Sequence, residues 1–193
     1  MLNIDKFGQI QHPSVVLKIS PNIERGAMDV IHGIIVHQTS SPTAQATLNG
    51  YKLAGANGAH LLIDKDGTIY QTASLFKKTH HVGQIKSRCI ATKTCTPADI
   101  QALKGKKPGK EIGRVEAKKV YPFRYPTNSD SIGIEIVSMT RNGVYEALTA
   151  KQQASFQWLL NELESTLKLN RADVFRHPEV SWKMESEGAG AKF

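Results

Sequence analysis

Gly33-Ile34-Ile35-Val36-His37 is the segment of this chain that most clearly predicts a buried strand. Its uninterrupted apolar run, followed by polar residues, is typical of a β-strand buried on both faces. A side chain at the end of such a strand is held rigidly and can still face a cleft. His37, which ends this strand, is therefore a candidate functional residue.

A helix is predicted directly after this strand. Ser41 followed by Pro42 is typical of a helix N-cap and of the first helical position. We expect the helix to continue to about Gly55 and to carry Leu48 and Tyr51 inward. It would connect the first strand to the next one along the chain.

The next strands are predicted to form a hairpin. Residues 59–64 and 68–72 are largely apolar and are separated by Asp66-Gly67, a strong turn signal. The first segment would pair with the second, and both would join the same sheet. Strands and helices thus mix along the chain, which predicts an α/β fold.

The second half of the chain predicts one more strand and a long helix. Isoleucine alternates with other residues from 132 to 136, the period of a two-faced strand, and this places Glu135 opposite the isoleucines. A capping box that begins at Thr149 precedes apolar residues at helical spacing, which predicts an amphipathic helix over 150–168. The tail begins with a short extended piece that ends at His177 and is otherwise irregular.

Length and composition predict one soluble domain over residues 1–193. The chain has 193 residues and 40% hydrophobic content, enough for a single core. Its apolar runs are far shorter than the roughly 20 residues of a membrane helix. Asp5 and Lys6 lie where a secretory signal would need an apolar run. We therefore expect a protein that stays in the cytoplasm or leaves it by a route other than a cleaved signal peptide.

The net charge of +8 is concentrated in one segment, which we call the basic insertion, residues 84–128. It holds eleven Lys or Arg residues and three acidic ones, whereas the rest of the chain carries equal numbers of each. Such a segment favours a polyanionic partner, although a solvated loop explains it equally well. Aromatic residues are sparse there, which argues against nucleic acid as the partner.

Cys89 and Cys95 are the two cysteines of the chain and lie in this polar segment. One pair is not a disulfide framework, so we expect two free thiols. A local disulfide in an exported protein is the main alternative, and a zinc-binding pair is the weakest interpretation.

The pattern of histidines and carboxylates is compatible with a metal centre. His37 and His177 both follow apolar segments, and a hydrolytic zinc site needs three N, O or S ligands and one open position. Candidate carboxylates for the third position are Glu179, Glu185 and Glu187. Glu135 differs from these because it lies in an apolar strand, where it faces either the solvent or a site as general base.

Other hydrolase motifs are missing from the sequence. It contains no His-Glu-x-x-His helix and no Gly-x-Ser-x-Gly nucleophile elbow. The glycines and lysines of residues 105–110 have the wrong spacing for a phosphate-binding loop. Serine hydrolase and nucleotide hydrolase interpretations therefore lack the residues that would carry them.

The order of five segments resembles the N-acetylmuramoyl-L-alanine amidase family, which includes phage lysozyme-type amidases and peptidoglycan recognition proteins. The resemblance covers about residues 30–190 and is interrupted by the basic insertion. It implies a central mixed sheet flanked by helices, with zinc at one end. The segments are Ile34-Ile35-Val36-His37-Gln38-Thr39-Ser40, Ala59-His60-Leu61-Leu62-Ile63-Asp64-Lys65-Asp66-Gly67-Thr68-Ile69-Tyr70-Gln71, His81-Val82-Gly83, Asn128-Ser129-Asp130-Ser131-Ile132-Gly133-Ile134-Glu135 and Arg176-His177-Pro178-Glu179-Val180-Ser181.

The resemblance also implies the ligands of the zinc ion. His37 and His177 match the first two ligands of the family. The third is an Asp or Cys in relatives, eight or ten positions after the second histidine, and Glu185 and Glu187 stand at those positions here. We prefer Glu187, because the residues after it resemble the small-residue ending of some members.

Four further residues match positions near the site in the family. Glu135 matches the catalytic glutamate, and Lys183 is the nearest match to a lysine that helps to stabilise the transition state. His81 matches a histidine that lines the substrate cleft, and His60 a motif residue beside the site, so both are predicted to bind substrate. The tyrosine that some phage members carry before His60 is replaced by Ala59.

The resemblance implies a zinc amidase that hydrolyses the bond between N-acetylmuramic acid and L-alanine in peptidoglycan or its muropeptide fragments. The alternative is a recognition module that binds peptidoglycan without cleaving it. An enzyme could act in wall recycling, in phage lysis or as an antibacterial effector, for which an immunity or inhibitor protein would be a partner. A nucleic-acid-binding protein would leave the ordered motifs unexplained.

Overall fold

The computed structural model describes residues 1–193. Its strands are β1 (Val15–Leu17), β2 (Glu24–Ala27), β3 (Gly33–Gln38), β4 (Leu61–Ile63), β5 (Ile69–Gln71), β6 (Lys77–Thr79), β7 (Ser131–Ile136), β8 (Thr140–Arg141), β9 (Val144–Tyr145) and β10 (Val174–Arg176). Its α-helices are α1 (Ala44–Tyr51), α2 (Arg88–Thr92), α3 (Pro97–Leu103), α4 (Lys110–Glu116), α5 (Ala150–Leu167) and α6 (His177–Val180). None of these helices combines the length and hydrophobicity needed to cross a membrane.

A six-stranded sheet organises the domain, with strand order β1-β5-β4-β7-β3-β10. The pair β4 and β5 is antiparallel, as the hairpin prediction requires, whereas the other neighbouring pairs are parallel. The pairs β2–β6 and β8–β9 form two small antiparallel ribbons. The predicted α/β domain with a central mixed sheet and flanking helices is therefore confirmed.

One face of the sheet packs against α5 and forms the main core. Helix α5 begins with the predicted capping box of Thr149 and Gln152, which satisfies backbone N–H groups at its first turn. Its apolar stripe contacts the three isoleucines of β7. The core side chains of α5 are fully buried: Phe156, Leu159, Leu160 and Leu163.

The opposite face of the sheet carries the polar residues. Because side chains alternate along a strand, Ile35 and His37 point away from α5, as does Glu135 on β7. Parallel pairing sets His37 of β3 directly beside Glu135 of β7. The prediction that Glu135 lies opposite the isoleucines is thus confirmed.

Two boundaries differ from the sequence-based expectations. Helix α1 begins after Thr43, whose side chain accepts a hydrogen bond from the Ala46 N–H, so Ser41 is not the cap. The N-terminal segment also belongs to the domain, although the resemblance begins only at about residue 30. Leu2 and Ile10 lie in the main core, and β1 forms the sheet edge beside β5.

The basic insertion is folded rather than a loop, since it contains α2, α3 and α4. The expectation of free thiols is wrong, because Cys89 and Cys95 form a disulfide. The buried Glu116 carboxylate and Asp99 both pair with Lys119, at 2.8 and 2.7 Å. These local cross-links compensate for the few apolar residues of the segment.

Candidate metal centre and cleft

Three side chains bring one potential ligand atom each to a common point at the carboxyl end of the parallel strands. His177 Nδ1 lies 2.8 Å from both His37 Nδ1 and Glu187 Oε1, and the latter two atoms are 3.4 Å apart. All three residues are buried. Ligand atoms of tetrahedral zinc lie about 3.3 Å apart, given zinc–ligand bonds of about 2.0 Å, so a small outward adjustment admits the ion.

The charge states of this cluster suit a divalent cation. Burial and the neighbouring His177 lower the pKa of His37 to about 4, so its imidazole is neutral at neutral pH. Burial alone would raise the pKa of Glu187, but the adjoining imidazoles of His177 and His37 bring it down to about 2. His177 Nε2 donates to the Val82 carbonyl at 2.9 Å, which directs Nδ1 toward the cluster. Two imidazole nitrogens and a carboxylate are donors that zinc accepts, with the fourth position left for water.

Sheet pairing explains why the two histidines meet. Strands β3 and β10 are parallel neighbours, with Val36 beside Arg176. His37 and His177 are the next residues of the two segments, so both side chains reach the same end of the sheet. The similar sequence surroundings that made them candidates reflect this shared position.

Hydrogen bonds within the tail place Glu187 in the cluster. Gln38 Oε1 accepts a hydrogen bond from Gly188 N–H at 2.7 Å, and Arg176 Nε donates to the Gly188 carbonyl at 3.1 Å. Gly188 has a φ of +72°, a left-handed conformation that favours glycine. Glu185 instead has an 86% exposed side chain that faces Lys86 at 3.7 Å. The structure therefore brings Glu187, and not Glu185, to the two histidines.

Glu135 borders the cluster from the neighbouring strand. Burial and the Glu187 carboxylate raise the pKa of Glu135 to about 8, while the Lys183 ammonium lowers it. Its Oε2 atom is buried and has no hydrogen-bond partner. A buried acceptor without a donor costs about 1–3 kcal/mol, and such unsatisfied groups are found at functional positions. The arrangement suits a general base that meets its proton donor only when substrate or water is present.

The cluster lies at the floor of an open cleft of about 860 Å³. Lys183 lines the cleft and lies near enough to His37 and Glu135 to lower both pKa values. Trp182 and Met184 beside it are 37% and 42% exposed, so apolar surface is available at the rim. A cleft of this size and mixed lining can accommodate a sugar–peptide segment.

Tyr51 is a cleft residue that sequence reasoning treated only as core. Its ring packs against Ile23 and Ala73, and its hydroxyl accepts a hydrogen bond from Ala59 N–H at 3.3 Å. Burial and the charge of Glu135 raise its pKa, so the hydroxyl keeps its proton. A tyrosine hydroxyl thus stands beside Ala59 in space, although Ala59 replaces the tyrosine of some relatives in sequence.

The structure corrects the substrate-binding prediction for His60. Its side chain is fully buried beneath the cleft, where Nδ1 accepts from Gly133 N–H and Nε2 donates to the Lys77 carbonyl. His60 therefore ties β7 to β6 and does not line the cleft. His81 does border the cleft, but both of its ring nitrogens already have protein partners.

Fold and site together define a class, an α/β protein with a candidate metallohydrolase centre at the carboxyl ends of its parallel strands. Comparison with known families makes the assignment more specific. Residues 27–189 match the model of the family described as N-acetylmuramoyl-L-alanine amidase. Because this match covers most of the chain, the protein belongs to that family.

Solved structures show the same fold. The catalytic domain of XlyA shares 22% identity over 88% of this chain and 87% of its own, with a TM-score of 0.55. A mutant endolysin from Bacillus subtilis shares 21% identity over 84% of this chain and 82% of its own, with a TM-score of 0.53. A selenomethionine derivative of AmpD shares 18% identity over 93% of this chain and 88% of its own, with a TM-score of 0.56. No curated protein matches the chain significantly.

Proposed function

We propose that this protein is a zinc-dependent N-acetylmuramoyl-L-alanine amidase that releases stem peptides from peptidoglycan or muropeptides. The observation that carries the proposal is the convergence of three buried ligand atoms from His37, His177 and Glu187 beside Glu135. Family membership supports the substrate class. A recognition module without catalysis would not need this donor set, so the enzyme is the better interpretation.

Each side chain of the site has a separate role in amide hydrolysis. His37, His177 and Glu187 would hold the zinc ion, which when bound would supply a Lewis acid for the scissile carbonyl and favour ionisation of water at neutral pH. Glu135 takes a proton from the attacking water and passes it to the departing L-alanine amine. Lys183, on the cleft wall, stabilises negative charge that develops on the carbonyl oxygen. Trp182 contacts the apolar parts of the substrate at the rim.

The setting we propose is the cell wall outside the cytoplasm, as a lysin or an antibacterial effector. The Cys89–Cys95 disulfide supports this placement, because disulfides persist in oxidising compartments. A producing cell would then need an immunity or inhibitor protein against the enzyme. Thiol titration of protein recovered from the periplasm should find no free thiols, and two free thiols there would contradict this setting.

A pair of glutamates in the tail provides a matched test of the metal site. Glu187→Gln should abolish stoichiometric zinc binding and stem-peptide release, because it removes one ligand and its charge. Glu185→Gln, two residues away, makes the same chemical change on an exposed side chain. It should retain zinc and activity. Zinc content by elemental analysis and peptide release by chromatography are the two measurements.

Glu135→Gln separates catalysis from metal binding. We expect the variant to hold zinc while losing a factor of about 10³ or more in turnover, near the upper range for a general base. Binding to purified peptidoglycan should persist. If wild-type protein binds peptidoglycan but neither takes up zinc nor releases peptides, it is a recognition module and the proposal fails.

A further inference from the structure

His81 lies between the sheet and the cluster of potential ligands, His37, His177 and Glu187. Its two ring nitrogens face different groups. Nδ1 lies 3.0 Å from His37 Nε2. Nε2 lies 3.3 Å from both the carbonyl oxygen and the hydroxyl oxygen of Ser131. The contacts of Ser131 determine which of the two nitrogens carries the proton.

Both Ser131 oxygens can only accept a hydrogen bond from His81. The carbonyl has no proton, and the Ser131 hydroxyl donates its own proton to the Thr127 carbonyl at 2.6 Å. His81 Nε2 must therefore be the donor. A neutral imidazole carries a single proton, so with that proton on Nε2 the Nδ1 of His81 carries a lone pair.

This tautomer of His81 dictates the tautomer of His37. A lone pair on His81 Nδ1 accepts a hydrogen bond, so His37 Nε2 must donate it. His37 is then left with a lone pair on Nδ1, the atom that points at His177 and Glu187. His177 Nε2 donates to the Val82 carbonyl, so its Nδ1 also faces the cluster.

We propose that His81 is a positioning residue that fixes the tautomer and ring orientation of His37 for metal binding, and not a residue that binds substrate. The inference rests on the proposed function only for the identity of the metal. In outline, Ser131 orients His81, His81 orients His37, and His37 presents Nδ1 to the ion. Partners of this kind raise the affinity of a metal site without contacting the metal.

The surroundings of His81 hold it in one orientation. Asn128 Oδ1 accepts hydrogen bonds from the backbone N–H groups of His81 and Val82, at 2.9 and 2.8 Å. The ring lies against Gly133, where an added Cβ would come within 2.8 Å of His81 Nδ1. Glycine at position 133 is therefore required for the ring to reach His37.

Nuclear magnetic resonance on metal-free wild-type protein tests the tautomers directly. Long-range ¹⁵N–¹H spectra of histidine at about pH 8, where imidazoles are neutral, should show protonated Nε2 and unprotonated Nδ1 for both His37 and His81. A His81 ring with its proton on Nδ1 would overturn the proposal. This result does not depend on zinc or on amidase activity. A failure of this proposal can therefore be distinguished from a failure of the proposed function.

Two substitutions of His81 test its effect on the metal site. His81→Asn keeps an acceptor oxygen near the position of Nδ1, whereas His81→Leu fills the space without an acceptor. We expect zinc affinity, measured by competition with a chelator, to fall about 10–100-fold in His81→Leu. His81→Asn should recover most of that loss.

Other results of these measurements would contradict the positioning role of His81. Equal losses of zinc affinity in both variants would mean that His81 acts only through packing. Unchanged zinc affinity with a raised KM would show that it binds substrate, and either result would overturn the proposal. If His81→Leu does not fold, Gly133→Ala, which displaces the ring, replaces it and should lower zinc affinity with little change in KM once zinc is saturating.

Discussion

The cluster of three potential ligands (His37, His177 and Glu187) and the basic insertion are both rich in ionisable residues, but the environments of these residues differ. In the cluster, each of the three potential ligands is buried and contacts another member. In the insertion, ion pairs involve Lys86, Lys119 and Arg124. Seven further cations there are exposed and form no ion pair: Lys93, Lys104, Lys106, Lys107, Lys110, Arg114 and Lys118.

The two regions can therefore contribute to function in different ways. Buried polar groups must find partners, so their geometry is fixed and the loss of one disturbs the others. Exposed cations are solvated and screened, so their effect on a partner depends on their sum rather than on any one position. We therefore expect large, specific effects in the cluster and small, graded, salt-dependent effects in the insertion.

Gln38→Ala should have a larger effect than the change in stability at Glu135 or the charge changes in the basic insertion. The buried Gln38 amide donates to Ser138 Oγ and the Glu146 carbonyl, both at 3.0 Å, and accepts from Gly188 N–H. Its loss frees the tail that positions Glu187, and zinc affinity should fall about 10–100-fold. The measurement is chelator competition on the purified variant.

Gln153→Ala provides the control for that variant. Gln153 also holds the tail, but further along, through two hydrogen bonds with the Lys192 backbone at 2.9 and 3.1 Å. We expect its zinc affinity to stay within about threefold of wild type, since Lys192 lies five residues beyond Glu187 and its backbone contacts α5 rather than the cluster. Equal losses of zinc affinity in the two glutamine variants would mean that any contact that holds the tail has the same effect. The proposal that Gln38 specifically places Glu187 would then be wrong.

The raised pKa of Glu135 predicts a pH-dependent stability difference in metal-free protein. Its pKa is about 8 in the folded state against 4.5 ordinarily, so between these values the folded state binds more protons than the unfolded state. The free energy of unfolding then decreases as pH rises, by at most about 1.4 kcal/mol per pH unit. Glu135→Gln removes this loss and should be increasingly more stable than wild type from about pH 5 to 8.

Urea unfolding in the presence of a chelator, at several pH values across that range, measures the difference. Glu185→Gln serves as the control, because it makes the same substitution on an exposed side chain, and any further pH dependence in the Glu135 variant belongs to the buried site. A Glu135→Gln difference that stays constant across the range would show that Glu135 is not destabilised by burial in the folded protein.

The smallest effect is expected in the basic insertion. Replacing Lys104, Lys106 and Lys107 by Gln should weaken binding to wall material that carries anionic polymers about three- to tenfold at about 50 mM salt. The difference should vanish near 0.5 M salt, where the screening length is only about 4 Å. Cleavage of small soluble muropeptides should be unchanged.

The matched control removes the same charge elsewhere. Lys6, Lys151 and Lys192 are exposed lysines outside the insertion. Their combined replacement by Gln should weaken wall binding less than the insertion variant does. Equal losses would mean that total charge alone attracts the protein to the wall, and that the insertion is an ordinary solvated surface.

Local patterns in the sequence were enough to predict the frame of the site. The apolar run before His37, the alternation around Glu135 and the capping box at Thr149 each depend on neighbours within a few residues, so periodicity reveals them. With family resemblance, these patterns also selected His177 as a partner of His37. The structure brings these residues together at one end of the sheet.

Long-range contacts decided the rest. Glu187 joins the cluster because Gln38, about 150 residues earlier, holds Gly188. In the sequence, only the resemblance of the residues after it favoured Glu187 over Glu185. His60 and His81 are both motif histidines, yet one is a buried tie between strands and the other faces His37. Pairing of Cys89 with Cys95 likewise depended on how the insertion folds.

Sequence patterns and family resemblance were therefore enough to predict the α/β fold, the strand that carries His37 and the family of the protein. Long-range contacts of the folded chain were needed to choose between Glu185 and Glu187, to separate the roles of His60 and His81, and to place Tyr51 in the cleft. The physical reason is range: secondary structure follows from the spacing of nearby side chains, whereas hydrogen-bond partners in a buried site come from segments that meet only after the chain has folded.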